Sequence, residues 1–138
     1  MSNKTLAIIK PDATEQNVIG EIVAMITQAG FKVNGMRLMQ LSTAQAQKFY
    51  EVHKERPFYN DLVNYMTSGK VVPLALEKEN AVADFRKLIG ATNPQEAEEG
   101  TVRAKYGKSI EANAIHGSDS DENAAIETSF FFASSDLL

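Results

Sequence analysis

The segment Asn113-Ala-Ile-His-Gly-Ser-Asp-Ser120 contains the residue types that nucleophilic chemistry on an anionic substrate requires. His116 is one of 2 histidines in the chain, and Gly117 follows it directly. We interpret this glycine as clearing space on one side of the imidazole, with hydroxyl and carboxylate groups on the other side. An imidazole in such a setting can bind an anion or act as a nucleophile towards it.

A helix is predicted to begin just after this segment, because Asp119 and Glu122 have the spacing of a capping box. The backbone N–H groups at such a helix start attract anions. The alternative interpretation is a loop histidine that only forms hydrogen bonds, followed by a turn and a helix cap. Residues elsewhere in the chain are needed to distinguish a nucleophilic histidine from a structural one.

Composition limits the classes of protein to which the chain can belong. Its 138 residues are 43% hydrophobic and 23% charged, which predicts one globular domain spanning residues 1–138. No apolar run approaches the roughly 20 residues that cross a bilayer. The sequence contains no cysteine and shows no apolar signal-peptide core at its start, so we expect a cytoplasmic protein without disulfides.

The net charge of −4 argues against general binding to nucleic acid or to anionic membranes. We therefore expect neither a specific nucleic-acid partner nor a membrane partner. An anionic ligand would have to be held by a few convergent cations. Lys10, Arg86 and Arg103 are the candidates for this role.

Apolar periodicity predicts the elements that must position these side chains. In chain order they are strands at 5–9, 31–41 and 71–76, and helices at 19–29, from 42, 56–65, 82–89 and 121–130. Residues 91–112 lack periodicity and are expected to be irregular. The run Phe130-Phe131-Phe132 is either a last strand or an apolar patch that packs on another subunit. We predict an α+β fold, a ferredoxin-like split βαβ sandwich in which helices cover an antiparallel four-stranded sheet.

One phosphate-binding motif can be rejected. Gly107-Lys108-Ser109 resembles the end of a P-loop, but Val102 occupies the position where that motif requires a glycine. The segment also does not follow an apolar strand. The chain is not expected to bind nucleotides through a P-loop.

With these segments assembled, the chain resembles the nucleoside diphosphate kinase family nearly from end to end. The matching segments follow the family's order and spacing: Lys10-Pro11-Asp12, Gly20-Glu21-Ile22, Arg56-Pro57-Phe58, Met66-Thr-Ser-Gly69, Gly90-Ala-Thr-Asn-Pro94, Gly100-Thr-Val-Arg103 and Asn113 to Ser120. The last of these is similar to the family's active-site signature. The resemblance implies a ping-pong transfer of the γ-phosphate from a nucleoside triphosphate to a nucleoside diphosphate through a phosphohistidine. It also implies broad acceptance of bases and sugars, and a role in maintaining NTP and dNTP pools.

The resemblance also implies roles for individual residues. His116 becomes the nucleophile, with its pros nitrogen as the candidate, although the sequence itself does not assign the ring nitrogen. The residues expected to orient it are Tyr50, Ser118 and Glu127. The residues expected to bind nucleotide are Lys10, Phe58, Leu62, Arg86, Thr92, Arg103, Ile110 and Asn113. Within this set, Phe58 would stack on the base opposite Ile110, and Asn113 would contact the ribose hydroxyls.

Mg²⁺ is the expected cofactor, carried by the nucleotide phosphates without a direct protein ligand. The expected partners are ATP, other nucleoside triphosphates and diphosphates, and further copies of the chain. The sequence ends soon after Phe132, as in bacterial members of the family, which favours a dimer or a tetramer. The rival hypothesis is a ferredoxin-like module that binds a nucleotide without turning it over. His116 distinguishes the two, because a binding module needs no nucleophile.

Overall fold

The computed structural model describes residues 3–137. At their centre is a four-stranded antiparallel sheet. Its strands lie in the order β2-β3-β1-β4, and each neighbouring pair is antiparallel. Their bounds are β1 (Lys4–Ile9), β2 (Lys32–Met36), β3 (Val72–Glu77) and β4 (Ile115–Gly117). This arrangement confirms the predicted α+β class and the ferredoxin-like split βαβ topology.

Seven α-helices lie within the described range: α1 (Pro11–Glu15), α2 (Ile19–Gln28), α3 (Thr43–Phe49), α4 (Tyr59–Met66), α5 (Ala81–Ile89), α6 (Val102–Tyr106) and α7 (Asp121–Phe131). Short 3₁₀ helices occur at Glu51–His53, Pro94–Glu96 and Ser134–Leu137. No helix between residues 3 and 137 is long and apolar enough to cross a bilayer.

The central strand β1 divides the hydrophobic core in two. Ala7 and Ile9 pack in a cluster with residues of α2 and α5, whereas Leu6 and Ile8 pack with residues of α3, α4 and α7. This division follows from the two-residue period of a strand, which sends neighbouring side chains to opposite faces. The sheet is therefore covered by helices on both faces, and β1 is buried at its centre.

The fourth strand is Ile115–Gly117, so the interpretation of Phe130-Phe131-Phe132 as a strand is wrong. The first two of these phenylalanines end α7, and Phe132 is its C-cap and is buried in the core. β4 has only three residues, one of them glycine, which is too short for any periodic pattern to reveal. His116 consequently stands on a strand, paired with Ile8 of β1, rather than in a loop.

Two further expectations about local structure are wrong. β2 contains a bulge between Val33 and Gly35 and ends at Met36, and beyond it a single bridge joins Met39 to Val71. The segment 91–112 contains α6, which begins where the Thr101 side chain accepts a hydrogen bond from the Ala104 backbone N–H. One turn of helix is too short to establish a periodic signal in a polar segment.

The N-cap of α7 is Ser120, not Asp119. The Ser120 hydroxyl accepts a hydrogen bond from the Asn123 backbone N–H at 3.0 Å. Asp119 instead accepts one from the Asn123 side chain at 2.6 Å. The helix predicted just after residues 113–120 is present, but its cap is a hydroxyl one residue later than the predicted carboxylate.

Candidate active site

His116, Ser118 and Glu127 form one hydrogen-bonded group between β4 and α7. The Oε1 atom of Glu127 lies 2.9 Å from His116 Nε2 and accepts a hydrogen bond from Ser118 Oγ at 2.7 Å. A carboxylate can only accept, so Nε2 carries the proton of the neutral ring and Nδ1 keeps its lone pair. Ser118 is fully buried, and its Oγ also accepts a hydrogen bond from the Leu6 backbone N–H. The sheet thus fixes the group that orients the imidazole.

Two aromatic residues at the end of α3 complete the surroundings of His116. The Phe49 ring lies edge-on to the imidazole with centroids 5.8 Å apart, and the buried Tyr50 ring lies 4.9 Å from the Phe49 ring. Burial, and secondly the charge of Glu127, raise the pKa of the Tyr50 phenol. Tyr50 therefore remains protonated close to Glu127. Sequence analysis assigned no role to Phe49, because an aromatic residue at helical spacing is typical of any core.

Gly117 does not clear space beside the imidazole. A Cβ atom at this position would lie 2.9 Å from Phe85 Cδ2 and 3.1 Å from Ile89 Cδ1, which belong to α5. Because α5 covers the opposite face of β4 from His116, the glycine serves the packing of this helix on the strand. His116 and Gly117 are neighbours on a strand, so their side chains point to opposite faces of the sheet and the glycine cannot open space beside the imidazole.

Lys10 lies at the end of β1 and is bound to the segment that precedes β4. Its Nζ donates a hydrogen bond to Asn113 Oδ1 at 2.8 Å, and Asn113 Nδ2 donates one to the Thr92 carbonyl at 2.9 Å. Burial, and secondly the charge of Arg103, lower the pKa of the Lys10 ammonium to about 8, while Asp12 and Glu111 act in the opposite direction. Lys10, Asn113 and Thr92, which were predicted separately, are thus directly connected.

Arg103, on α6, is buried and holds two backbone carbonyls. Its Nη1 donates to Gly90 O at 3.0 Å, and its Nη2 donates to Ile115 O at 2.9 Å. Its Nε is also buried but has no hydrogen-bond partner. Burial, and secondly the charge of Arg86, lower the pKa of Arg103 to about 10. Because Arg103 also lines the cleft beside α5 and α6, its guanidinium connects this cleft to the residue that precedes His116.

A cleft of about 650 Å³ opens beside α5 and α6. Its lining combines three cations, two carboxylates and small residues: Arg86, Lys87, Arg103, Glu96, Glu98, Gly90, Ala91, Thr92 and Thr101. Lys10, Asn113 and His116 do not line this cleft. They adjoin it through the Asn113–Thr92 and Arg103–Ile115 hydrogen bonds. Sequence analysis did not identify Lys87, whose exposed side chain follows Arg86 on α5.

The apolar candidates Phe58, Leu62 and Ile110 do not line this cleft. Phe58, at the N-cap of α4, is 47% exposed, and Ile110 is 60% exposed. Leu62 is partly buried against the core, one turn after Phe58. The His53 ring lies 5.6 Å from the Phe58 ring. Phe58 and Ile110 therefore present apolar surface to solvent, and Leu62 belongs mainly to the core.

In the part of the chain that the structure describes, no group of three or more His, Cys, Asp or Glu side chains is placed to hold a metal ion.

Comparison with known proteins identifies relatives along nearly the whole chain. The family model described as nucleoside diphosphate kinase matches residues 3–137. A nucleoside diphosphate kinase from Flavobacterium psychrophilum is 61% identical over 132 residues, covering 96% of this chain and 95% of the relative. One from Nitratiruptor sp. is 59% identical over 135 residues, covering 98% of both chains.

Solved structures give the same result for the fold. The Aquifex aeolicus nucleoside diphosphate kinase superposes with a TM-score of 0.97 at 38% identity, and the match covers 100% of both chains. A halophilic nucleoside diphosphate kinase from Halobacterium salinarum, solved in complex with CDP, gives 0.94 at 34% identity, covering 100% of this chain and 92% of that one.

Proposed function

The chain belongs to the nucleoside diphosphate kinase family and is an enzyme that transfers phosphate between nucleotides, and from this premise we propose a two-step transfer through a phosphohistidine at Nδ1 of His116. The hydrogen bond between His116 Nε2 and Glu127 carries this proposal, because it leaves Nδ1 as the nucleophilic nitrogen. Family membership excludes the rival hypothesis of a binding module without turnover.

In the first step, His116 Nδ1 attacks the γ-phosphorus of a nucleoside triphosphate. The Nδ1–P bond forms while the bond to the β,γ-bridging oxygen breaks, and the nucleoside diphosphate leaves. The ring gains positive charge, which the Glu127 carboxylate stabilises at Nε2. In the second step, a terminal oxygen of another diphosphate attacks the same phosphorus, and the Nδ1–P bond breaks. A single nucleotide site can then serve donor and acceptor in turn.

The cations beside β4 are the proposed phosphate-binding groups. The charge of Arg103 lowers the pKa of Lys10, and the charge of Arg86 lowers the pKa of Arg103, so the three cations lie within electrostatic range of one another. Such a cluster of like charges is relieved by a bound anion. Thr92 borders the same cleft and can supply a hydroxyl donor. We infer that Mg²⁺ enters on the nucleotide phosphates, where it would offset their negative charge.

The test of this mechanism is a phosphoenzyme assay with ATP labelled at the γ-phosphate. The label should become attached to the protein without an acceptor, persist in base and be lost in acid. Adding an unlabelled nucleoside diphosphate should move the label to nucleotide. A protein that transfers phosphate between nucleotides without ever becoming labelled would contradict the ping-pong mechanism.

The nucleoside is proposed to bind on the exposed apolar surface of Phe58 and Ile110, bordered by Leu62. Stacking on an aromatic face tolerates every base, because each base has a π-face. Asn113, which is held by Lys10 and Thr92, would meet the ribose hydroxyls. We therefore propose broad acceptance of bases and sugars.

Replacing Phe58 with alanine is expected to raise KM for GDP, UDP, CDP and their deoxy forms by similar factors. Loss of one base–aromatic stack costs about 1–3 kcal/mol, or roughly 5- to 150-fold. Steady-state kinetics with each acceptor would measure the change, and Phe58→Tyr, which retains the ring, should stay close to the parent enzyme. A loss confined to one base would contradict recognition by stacking alone.

The value of kcat/KM is expected to fall as pH rises above about 8, because Lys10 loses its proton there. The sign follows from the cause: burial lowers this pKa, so the phosphate-binding charge disappears within an accessible range. The measurement is the dependence of kcat/KM on pH, because this parameter reports the ionisations of the free enzyme. Bound phosphate would raise the pKa of the Lys10 ammonium, so kcat is less informative. A profile that remains flat up to pH 10 would show that the Lys10 charge does not contribute to binding.

We also infer that the enzyme self-associates as a dimer or tetramer, works in the cytoplasm and maintains NTP and dNTP pools. Self-association is supported by β2, an edge strand of the described sheet, and by the exposed apolar side chains of Met36 at its end and Leu38 just beyond it. An unpaired strand edge with apolar neighbours favours contact with another chain. The role in nucleotide pools rests on the proposed breadth of substrates.

A further inference from the structure

Asp12 is a buried carboxylate in the first turn of α1 that has no part in the mechanism above. Its Oδ2 accepts a hydrogen bond from the Ala114 backbone N–H at 3.0 Å, and its Oδ1 accepts one from the Tyr65 hydroxyl. The Asp12 backbone N–H donates in turn to Tyr65 Oη at 3.0 Å. One carboxylate therefore joins α1, α4 and the turn that leads into β4.

That turn has an unusual backbone conformation. Ala114 has a φ of 75°, and the Ile115 N–H donates to the Asn113 carbonyl at 2.9 Å across it. These features define a γ-turn with positive φ at its centre, which is rare and strained for a residue with a Cβ atom. The Ala114 carbonyl accepts a hydrogen bond from the Lys10 N–H at 2.8 Å. Both backbone polar groups of Ala114 are thus held by the corner between β1 and α1.

The residues on either side of this turn belong to the proposed active site. Asn113 precedes it and binds the Lys10 ammonium, while Ile115 follows it, accepts a hydrogen bond from Arg103 and precedes His116. We propose that Asp12 and Tyr65 are positioning residues for phosphoryl transfer: they hold the strained Ala114 turn, which sets Asn113 against Lys10 and fixes the start of β4. The inference rests on the proposed function, and it assigns neither residue a contact with substrate.

The hydroxyl of Tyr65 determines how the Asp12 carboxylate is oriented. Burial, and secondly the hydrogen bond to Asp12, raise the pKa of Tyr65 above its usual value. The phenol therefore remains a donor throughout the pH range of the enzyme. With one oxygen bound to Tyr65, the other is directed at the Ala114 N–H, and a charge-assisted bond of this kind is stronger than a neutral one.

The charge of Asp12 also acts on the neighbouring Lys10 ammonium, and this effect can be measured separately from protein stability. Lys10 faces Arg103 from α6, Asp12 from α1 and Glu111 from the segment before β4. The two carboxylates support the ammonium against burial and against Arg103. Removing the Asp12 charge should therefore lower the pKa of Lys10 further, an effect that a general loss of stability would not produce.

Two variants test the proposal. Asp12→Asn keeps the size of the side chain and removes its charge, whereas Tyr65→Phe removes only the hydroxyl. We expect kcat/KM to fall about 10- to 100-fold in Asp12→Asn, because a hydrogen bond to a charged group is lost. In Tyr65→Phe we expect a fall of about 3- to 10-fold, because only a neutral donor to the carboxylate is lost. In both, the Ala114 amide should exchange its hydrogen faster, and in Asp12→Asn alone the alkaline limb of kcat/KM should move to lower pH.

Matched controls are available on α4. Asp61→Asn removes an exposed carboxylate, and Tyr59→Phe removes a hydroxyl that donates to the Gln47 carbonyl at 3.3 Å. Both should retain the activity, the pH profile and the Ala114 exchange rate of the parent enzyme. Unchanged Ala114 exchange together with unchanged kcat/KM in folded Asp12→Asn would overturn the proposal.

The readouts separate this proposal from the proposed function. Absence of a phosphoenzyme in the parent protein would contradict the proposed mechanism. Hydrogen exchange at Ala114 and the pKa of Lys10, measured by NMR with ¹⁵N-labelled lysine, need no turnover and would still test the role of Asp12. If Asp12→Asn fails to fold, Tyr65→Phe provides the test, because it keeps the Asp12 carboxylate itself and removes only the hydroxyl that orients it. Parent-like Ala114 exchange and kcat/KM in Tyr65→Phe would then overturn the role of the pair.

Discussion

Replacing His116 with alanine is expected to abolish phosphoenzyme formation and to lower kcat by about 10,000-fold or more. The substitution removes the only group proposed to form a bond to phosphorus. The proposed phosphate-binding cations are unaffected by the substitution, so the affinity for ATP should change far less than kcat. The measurements are incorporation of label from γ-labelled ATP, steady-state transfer to GDP, and ATP affinity by titration.

The second histidine supplies the control for this result. His53 lies beside Phe58, whereas His116 is the histidine hydrogen-bonded to Glu127, so His53→Ala should still become labelled with phosphate. Label that persists in His116→Ala, or that is lost in His53→Ala alone, would contradict the assignment of the nucleophile. Restoring part of the activity with added imidazole would support it.

Replacing Arg103 with lysine is expected to lower kcat/KM by about 100- to 1,000-fold, although the charge is retained. Lysine has no planar fork, so it cannot hold the carbonyls of Gly90 and Ile115 while presenting a further N–H to phosphate. A buried carbonyl left without its donor costs about 1–3 kcal/mol, and the free energy of unfolding should fall by this amount. Kinetics and denaturant unfolding would measure the two effects separately.

Arg37 offers a matched control for Arg103. It also donates to a backbone carbonyl, that of Phe131 at 2.9 Å, but lies away from the cation cluster. Arg37→Lys should lower the free energy of unfolding without a comparable loss of kcat/KM. If Arg103→Lys retained full activity, the Arg103 guanidinium would have a structural role only. The proposal that it binds phosphate together with Lys10 and Arg86 would then be wrong.

Most of the secondary structure could be predicted from local patterns. The helices predicted from residue 42 and over 19–29 are present: α3 follows Ser42, which forms a capping box with Gln45, and α2 is followed by Gly30 with a φ of 97°. The elements that were missed are α1, α6 and β4, which have five, five and three residues, and β2 ends at Met36 rather than at residue 41. Elements this short repeat no period, so their existence depends on tertiary partners such as β1.

The candidate site divides in the same way. Individual residue types were recognisable, since His116 and its flanking residues form a specific motif. Asp12 lay within a recognised motif, yet nothing in the sequence distinguished a buried carboxylate from a solvated one. Its role depends on Tyr65 and Ala114, which lie 53 and 102 positions away along the chain. Hydrogen bonds over such separations leave no periodic signal.

The sequence by itself determined the family, the α+β class and the set of side chains able to perform the chemistry, because these depend on residue identity and local spacing. Only the tertiary structure decided that Glu127 takes Nε2 of His116 and leaves Nδ1 free, and that Gly117 faces Phe85 rather than the proposed phosphate site. Both decisions follow from the pairing of β4 with β1. A shift of one residue would turn every side chain of the strand to the opposite face, and only the complete core fixes that register.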